Sequence, residues 1–174
     1  MIESAAAANS GDLCTECGLC CNGALFDYAE LAGDQVAHAR QLNLKVLRNG
    51  EKFGYGFPCP QLDGAVCRVY DKRPEVCRNF RCKTLREYEA GDIDVGEGME
   101  RIRAARNALS ETYKQLPDGT TLTEARRWRR QAGEAAAGET LNASPILMMA
   151  LGMLDVVLDE HFRRPEQRRV LPIE

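Results

Sequence analysis

The stretch CTECGLCC, residues 14 to 21, places four cysteines within eight positions, and two of them are adjacent. A second stretch, CPQLDGAVCRVYDKRPEVCRNFRC at residues 59 to 82, holds the other four. The eight are Cys14, Cys17, Cys20, Cys21, Cys59, Cys67, Cys77 and Cys82. Three interpretations compete for so dense a set of thiols: metal binding, disulfide bonds, and ordinary buried cysteines.

The rest of the chain disfavours disulfide bonds. The N-terminal segment MIESAAAANSGDL has no basic region followed by an apolar one, so no secretory signal is expected. The most apolar run, residues 145–158, is shorter than the roughly 20 residues that a membrane span needs. We therefore expect a cytoplasmic protein with no membrane span, in a compartment that keeps thiols reduced. Adjacent Cys20 and Cys21 would also bridge only with backbone strain.

Metal binding explains the spacing better than burial does. Isolated cysteines are often small core residues, but four of them beside Gly, Thr and Glu fit that role poorly. The pattern C-x-x-C-x-x-C with a remote Cys59-Pro60 is typical of [4Fe–4S] ligands. Tetrahedral Zn²⁺ with four cysteines accepts similar spacings. The sequence thus predicts an iron–sulfur cluster, of the 4Fe-4S type, or Zn²⁺, with iron–sulfur ahead.

Two centres are expected, because adjacent side chains project in different directions and cannot easily serve one metal. The spacing favours one centre at Cys14, Cys17, Cys20 and Cys59, and another at Cys21, Cys67, Cys77 and Cys82. A single cluster with spare thiols stays open. Basic residues interleave with the second stretch and would offset the negative charge of thiolates: Arg68, Lys72, Arg73, Arg78, Arg81 and Lys83.

The 174 residues suggest one domain that is mainly α. We expect a disordered N-terminus over 1–12, a single domain over 13–162 and a basic flexible tail over 163–174. Within the domain, residues 14–90 form an irregular cysteine-rich, metal-binding lobe with short strands. Residues 95–162 form a helical part, so that the lobe packs on three to four helices.

Local patterns place these elements. Apolar spacing predicts helices over 26–43 and 95–116. A capping box at Thr121 and Glu124 opens another helix, and Ser144 before Pro145 opens the last. The Gly-rich segment 49–60 predicts a loop or short hairpin, LDGAV a turn between two strands, and Pro74 the start of a short helix.

Nucleic acid is not expected as a partner, because the formal net charge is −3 and the sequence pI is about 5.6. The basic run RRWRR at 126–130 is interpreted as a helix with Trp128 on the core and the arginines in water. His38 and His161 are isolated and are not expected to ligate metal.

Together, CTECGLCC and CPQLDGAVCRVYDKRPEVCRNFRC resemble a bacterial and archaeal family, the zinc- or iron-chelating CxxCxxCC domain. The resemblance covers residues 14 to about 84. Besides the eight cysteines, the matching positions are Gly18, Gly64, Tyr70, Arg73, Pro74, Arg78 and Phe80. Relatives often have proline where this chain has Arg81, which puts the local turn in doubt. The resemblance implies that the chain binds metal ions and leaves the metal open.

Three functions remain open at this point. The family is similar to the domain in flagellin lysine N-methylases, which implies an iron–sulfur-dependent enzyme as one possibility. A redox or metal-handling protein and a structural zinc module for a protein partner are the others. No general base, phosphate-binding loop or cofactor loop stands out in the sequence, so whether the protein is an enzyme is left open.

Overall fold

The computed structural model describes residues 10–134 and 144–169, and within them the fold is mainly α with short strands. The helices are α1 Ser10–Cys17, α2 Val36–Gln41, α3 Glu75–Asn79, α4 Lys83–Ala90, α5 Val95–Lys114, α6 Leu122–Glu134 and α7 Pro145–His161. The strands are β1 Tyr28–Leu31, β2 Val46–Asn49, β3 Lys52–Gly56, β4 Leu62–Asp63 and β5 Val66–Cys67. Short 3₁₀ turns lie at Gly33–Gln35, Tyr70–Lys72 and Pro165–Gln167.

The larger core forms where α7 packs on α5. Leucines of α7 recur every three or four residues, which puts them on one face, and all are fully buried: Leu147, Leu151, Leu154 and Leu158. They meet Ile102, Ala105 and Leu109 of α5. We call the whole set the helical core; it also contains Leu13, Leu19, Ala24, Leu25, Leu122, Ala125 and Phe162. Local sequence signals were sufficient to predict these helices.

The predicted helix caps are confirmed. Ser144 Oγ accepts a hydrogen bond from Leu147 N at 3.1 Å. Thr121 and Glu124 form the capping box: Thr121 N donates to Glu124 Oε2 at 2.8 Å and Glu124 N donates to Thr121 Oγ1 at 3.2 Å.

A smaller core lies under an antiparallel sheet of order β1-β3-β2. We call it the hairpin core; its buried residues are Leu31, Ala39, Leu42, Leu44 and Tyr55. Gly54 allows β3 to approach β1, because a Cβ there would lie 2.6 Å from Ala29 O. The segment 49–60, expected to be a loop or short hairpin, contains β3 and the turn that joins it to β2, and the turn predicted at LDGAV is confirmed.

The helix predicted over 26–43 is wrong in its first half. Residues Tyr28–Leu31 pair with β3 instead, and α2 begins only at Val36. The apolar spacing of this segment fits a helix, but the pairing partner lies far along the chain and leaves no local signal.

Parts of both expected free ends belong to the described structure. Helix α1 begins at Ser10, inside the segment expected to be disordered, and residues 1–9 lie outside the described part. Arg163 was expected to begin a flexible tail, yet it is 1% exposed and its Nη1 lies 2.9 Å from Asp155 Oδ1 and 2.7 Å from Asp159 Oδ1. These two carboxylates of α7 bind the start of the tail. Residues 170–174 lie outside the described part.

The RRWRR interpretation needs one correction. Trp128 is half-buried against the helical core, as expected, and Arg127 and Arg130 are exposed. Arg126 is not in water: it is 2% exposed, and its guanidinium donates to Gly23 O and Ala24 O. Among the described residues, no helix is both long and apolar enough to cross a membrane.

Candidate metal centre

All eight cysteines line one cavity of about 400 Å³. They divide into two groups of four, both by the apolar core that their members pack against and by which thiols affect one another's pKa. The first group is Cys14, Cys17, Cys20 and Cys82, and the second is Cys21, Cys59, Cys67 and Cys77. Burial raises the pKa of most of these thiols, and neighbouring thiols raise it further for Cys17, Cys20, Cys21, Cys59, Cys77 and Cys82. Adjacent Cys20 and Cys21 are the point where the two groups meet.

The first group is built on α1 and α4. Cys14 and Cys17 lie on α1, and a tight turn at Gly18, with φ of +66°, brings Cys20 back toward them. Cys82 is the N-cap of α4, where its Sγ accepts a hydrogen bond from Leu85 N at 3.4 Å. Because α4 packs on α1, the N-terminus of α4 lies beside the C-x-x-C-x-x-C turn.

The second group gathers thiols from three separate segments around Cys21. Cys59 N donates to Cys21 O at 2.7 Å, which ties the loop after β3 to the turn after α1. Cys67 lies on β5 opposite Leu62, and Cys77 lies on α3. The hydroxyl of Tyr55 lies 2.6 Å from Cys77 Sγ, within hydrogen-bond distance.

This grouping differs from the predicted partition in one exchange. Cys59 was assigned to the C-x-x-C-x-x-C set and Cys82 to the other, whereas Cys82 packs with Cys17 and Cys20 against the helical core and Cys59 packs with Cys77 against the hairpin core. The reason is the backbone hydrogen bond from Cys59 to Cys21 and the packing of α4 on α1. The inference that Cys20 and Cys21 belong to different groups agrees with the structure.

Burial makes these thiols poor acids while no metal is bound. It raises the pKa of Cys82 to about 11 and that of Cys21 to about 12. It also raises the pKa of Cys17 and Cys20, whose thiol neighbours add to the effect. At neutral pH these four thiols are therefore neutral, and binding a cation there would release protons.

Arginines around the cavity oppose this effect. Burial raises the pKa of Cys14, Cys21 and Cys77, while the Arg73 guanidinium lowers it in each case. Arg73 is held by Tyr70: its Nε donates to Tyr70 O at 2.7 Å, and its guanidinium lies 3.5 Å from the centre of the Tyr70 ring. Arg81 acts similarly on Cys14. Fixed cations of this kind favour thiolates.

Other basic residues of the second stretch have different partners. Arg68 pairs with Asp63 at 3.1 Å, and Lys83 lies 3.8 Å from Glu87. Lys72 and Arg78 are exposed, although Arg78 also borders the cavity. The Nε2 atom of His38 lies 2.7 Å from Lys72 O, within hydrogen-bond distance.

Two residues that act on the thiols were not predicted from the sequence. Arg106 of α5 donates to Glu16 O at 2.7 Å and lowers the pKa of Cys17 against the larger effect of burial. Tyr55 contacts Cys77 from β3. Only Tyr55 had a detectable signal, since the alternation in KFGYGF puts Phe53, Tyr55 and Phe57 on one face of a strand.

The donor set fits a thiophilic metal centre, since each group offers four thiols with hydrogen-bond donors and cations nearby. As the side chains stand in the described part of the chain, no three His, Cys, Asp or Glu residues are arranged to hold a metal ion.

A comparison with known families agrees with this chemistry. Residues 13–95 match the model of the CxxCxxCC family, which is described as a "Putative zinc- or iron-chelating domain". The resemblance noted in the sequence is thereby confirmed for this segment, which runs from α1 to the first residue of α5. No curated protein and no solved structure matches the chain.

Proposed function

We propose that the CxxCxxCC segment binds two metal centres, one at Cys14, Cys17, Cys20 and Cys82 and one at Cys21, Cys59, Cys67 and Cys77. We further propose that these are iron–sulfur clusters of the 4Fe-4S type and that the protein has a redox or metal-handling role. One observation carries the proposal: eight thiols line a single cavity in two groups of four.

The spacing supports iron–sulfur over zinc. Three thiols at C-x-x-C-x-x-C spacing with one remote thiol are a common [4Fe–4S] ligand set. The first group keeps that form with Cys82 as the remote member. An iron–sulfur cluster, when bound, supplies a one-electron redox couple. Zn²⁺ accepts the same four thiolates and would make each centre structural, so metal analysis has to decide between them.

The protein contributes groups that tune such a centre. Leu85 N donates toward Cys82 Sγ and the Tyr55 hydroxyl lies against Cys77 Sγ. Hydrogen bonds to sulfur and nearby positive charge both raise the reduction potential of a cluster. Because Cys20 and Cys21 are consecutive, one peptide unit joins the two groups. Short separation between centres suits electron transfer from one to the other.

Metal analysis and a visible spectrum of protein purified without oxygen test the identity of the centres. We expect a coloured protein with about four irons and four inorganic sulfides per centre. A colourless protein from iron-replete medium, with zinc in place of iron, would contradict the iron–sulfur assignment and favour the structural module.

Paired cysteine variants test the grouping. In Cys14→Ser/Cys82→Ser both changes fall in the first group, so we expect the second centre to survive and about half of the metal to remain. In Cys14→Ser/Cys59→Ser each group loses one ligand, and we expect both centres to be lost. If Cys14→Ser/Cys59→Ser keeps half of the metal and Cys14→Ser/Cys82→Ser loses all of it, the partition predicted from spacing is correct. Loss of the same amount of metal in both variants would contradict two independent centres.

A further inference from the structure

A second cavity lies away from the cysteines. It has a volume of about 270 Å³ and is lined by Arg126, Arg129 and Arg130 of α6, Asp155 of α7, and Arg169. We call these five residues the arginine pocket. Its lining is different from that of the cysteine cavity, and it lies outside the segment that matches the CxxCxxCC family.

Positive charge exceeds negative charge around the arginine pocket. Asp155 Oδ2 lies 2.9 Å from Arg129 Nη1, and Asp155 Oδ1 lies 2.9 Å from Arg163 Nη1. Asp27 lies farther from its two partners: its Oδ1 is 3.6 Å from Arg126 Nη1, and its Oδ2 is 3.7 Å from Arg169 Nη2. The arginines are Arg126, Arg129, Arg130, Arg163 and Arg169, and the aspartates are Asp27, Asp155 and Asp159.

Several guanidinium groups have unused donors there. Within residues 10–134 and 144–169, Arg126 Nε and Arg169 Nη1 are buried and have no hydrogen-bond acceptor. Arg129 Nη1 is close to Asp155 but likewise makes no aligned hydrogen bond in the described structure. Arg126 is 2% exposed, so water cannot readily compensate its free N–H. Buried donors without acceptors are costly and are rare in folded proteins.

Burial and neighbouring guanidinium groups lower the pKa of two arginines of the pocket, while Asp155 and Asp27 raise it. Burial lowers the pKa of Arg126 to about 10, and neighbouring Arg169 lowers it further. Burial also lowers the pKa of Arg169, and Arg163 adds to that effect. A bound anion would oppose these shifts by supplying the missing negative charge.

We propose that the arginine pocket binds a phosphate group, either inorganic phosphate or the phosphate of a small ester. Guanidinium groups match the oxygens of phosphate with paired N–H donors, and four of them line this cavity, three on α6 and one at Arg169. The cavity is smaller than a typical pocket for a drug-sized ligand, about 300 Å³ or more, which suits a small anion.

Binding of single-stranded nucleic acid fits this site less well. Such binding relies on aromatic rings free to stack on bases. Trp128 is the aromatic residue of the RRWRR run, and it packs against the helical core.

Isothermal titration of the metal-loaded protein with inorganic phosphate, at ionic strength held constant with chloride, tests the proposal. We expect saturable binding that chloride does not reproduce. Arg129→Gln and Arg169→Gln should each weaken it about tenfold or more, because each removes a charged donor. Arg127→Gln is the matched control: it changes an exposed arginine of the same helix outside the pocket and should bind as the wild type does.

Glycerol 3-phosphate as a second probe distinguishes the two sources of phosphate. Tighter binding than inorganic phosphate would identify an ester as the ligand, and equal binding would identify free phosphate. No saturable binding, or equal weakening by all three variants, would overturn the proposal. Binding confined to an oligonucleotide, and weakened by Arg127→Gln, would also overturn it and favour nucleic acid. Metal content, measured in each variant, separates this result from any failure of the cysteine centres.

Discussion

The two groups of thiols pack against apolar cores of very different size. Cys17, Cys20 and Cys82 pack against the helical core, where α5 and α7 bury four leucines completely. Cys59 and Cys77 pack against the hairpin core, which has five buried residues under short strands. Burial of apolar area supplies most of the stability of a fold, so the helical core has far more to contribute than the hairpin core. We therefore expect the scaffold of the first group to be stable by itself and that of the second group to depend on the metal that its thiols bind.

Metal removal should show the largest difference between the two regions. With a chelator and a thiol reductant, we expect β1, β2, β3 and α3 to lose protection from hydrogen exchange, while α5 and α7 keep theirs. Structural metal sites contribute about 10 kcal/mol or more to small folds, which is more than the hairpin core can replace. Hydrogen exchange measured by mass spectrometry on loaded and stripped protein is the check. Equal loss of protection in both regions would contradict the comparison.

The same contrast explains what the sequence could and could not predict. Helices α5 and α7 were predictable because their spacing and caps are local. Strand β1 was not, because its hydrogen bonds go to β3, and Phe57 N donates to Asp27 O beside it. In the hairpin region the fold depends on contacts between distant segments, and periodicity carries no information about them.

The candidate site could likewise be predicted only in part from the sequence. Spacing identified all eight thiols and the junction at Cys20 and Cys21. It could not assign Cys59 and Cys82, because their neighbours are decided by a single backbone hydrogen bond and by the packing of α4 on α1. Arg126 was placed in water for a similar reason, since its acceptors are carbonyl groups of the distant residues Gly23 and Ala24.

Leucine truncations should sharpen the contrast further. Leu151 is fully buried in the helical core, and Leu44 is 5% exposed in the hairpin core. Leu151→Ala should lower the free energy of unfolding by about 2–5 kcal/mol with or without metal. Leu44→Ala should lower it only with metal bound, because we expect the hairpin region to be unfolded already in the stripped protein. Urea unfolding followed by circular dichroism measures both, and a full effect of Leu44→Ala in stripped protein would argue against metal dependence.

The smallest predicted effect concerns the contact that joins the two regions. Gly18 has a φ of +66°, and a Cβ there would lie 3.0 Å from Ala65 Cα, in the turn between β4 and β5. Gly50 has a φ of +60° with nothing within 4 Å of such a Cβ. Alanine at either position takes on left-handed backbone strain of about 1–2 kcal/mol. Only Gly18→Ala must also push the two segments apart.

We therefore expect Gly18→Ala to lower the unfolding free energy of the loaded protein by about 1 kcal/mol more than Gly50→Ala does, since overpacking costs about that much or more. Gly18→Ala should also reduce metal at the second group, because the displaced turn leads directly to Cys67 on β5. Gly50→Ala should leave metal content unchanged. Equal destabilisation by the two variants, with full metal content in both, would show that the approach of Gly18 to Ala65 does not couple the regions.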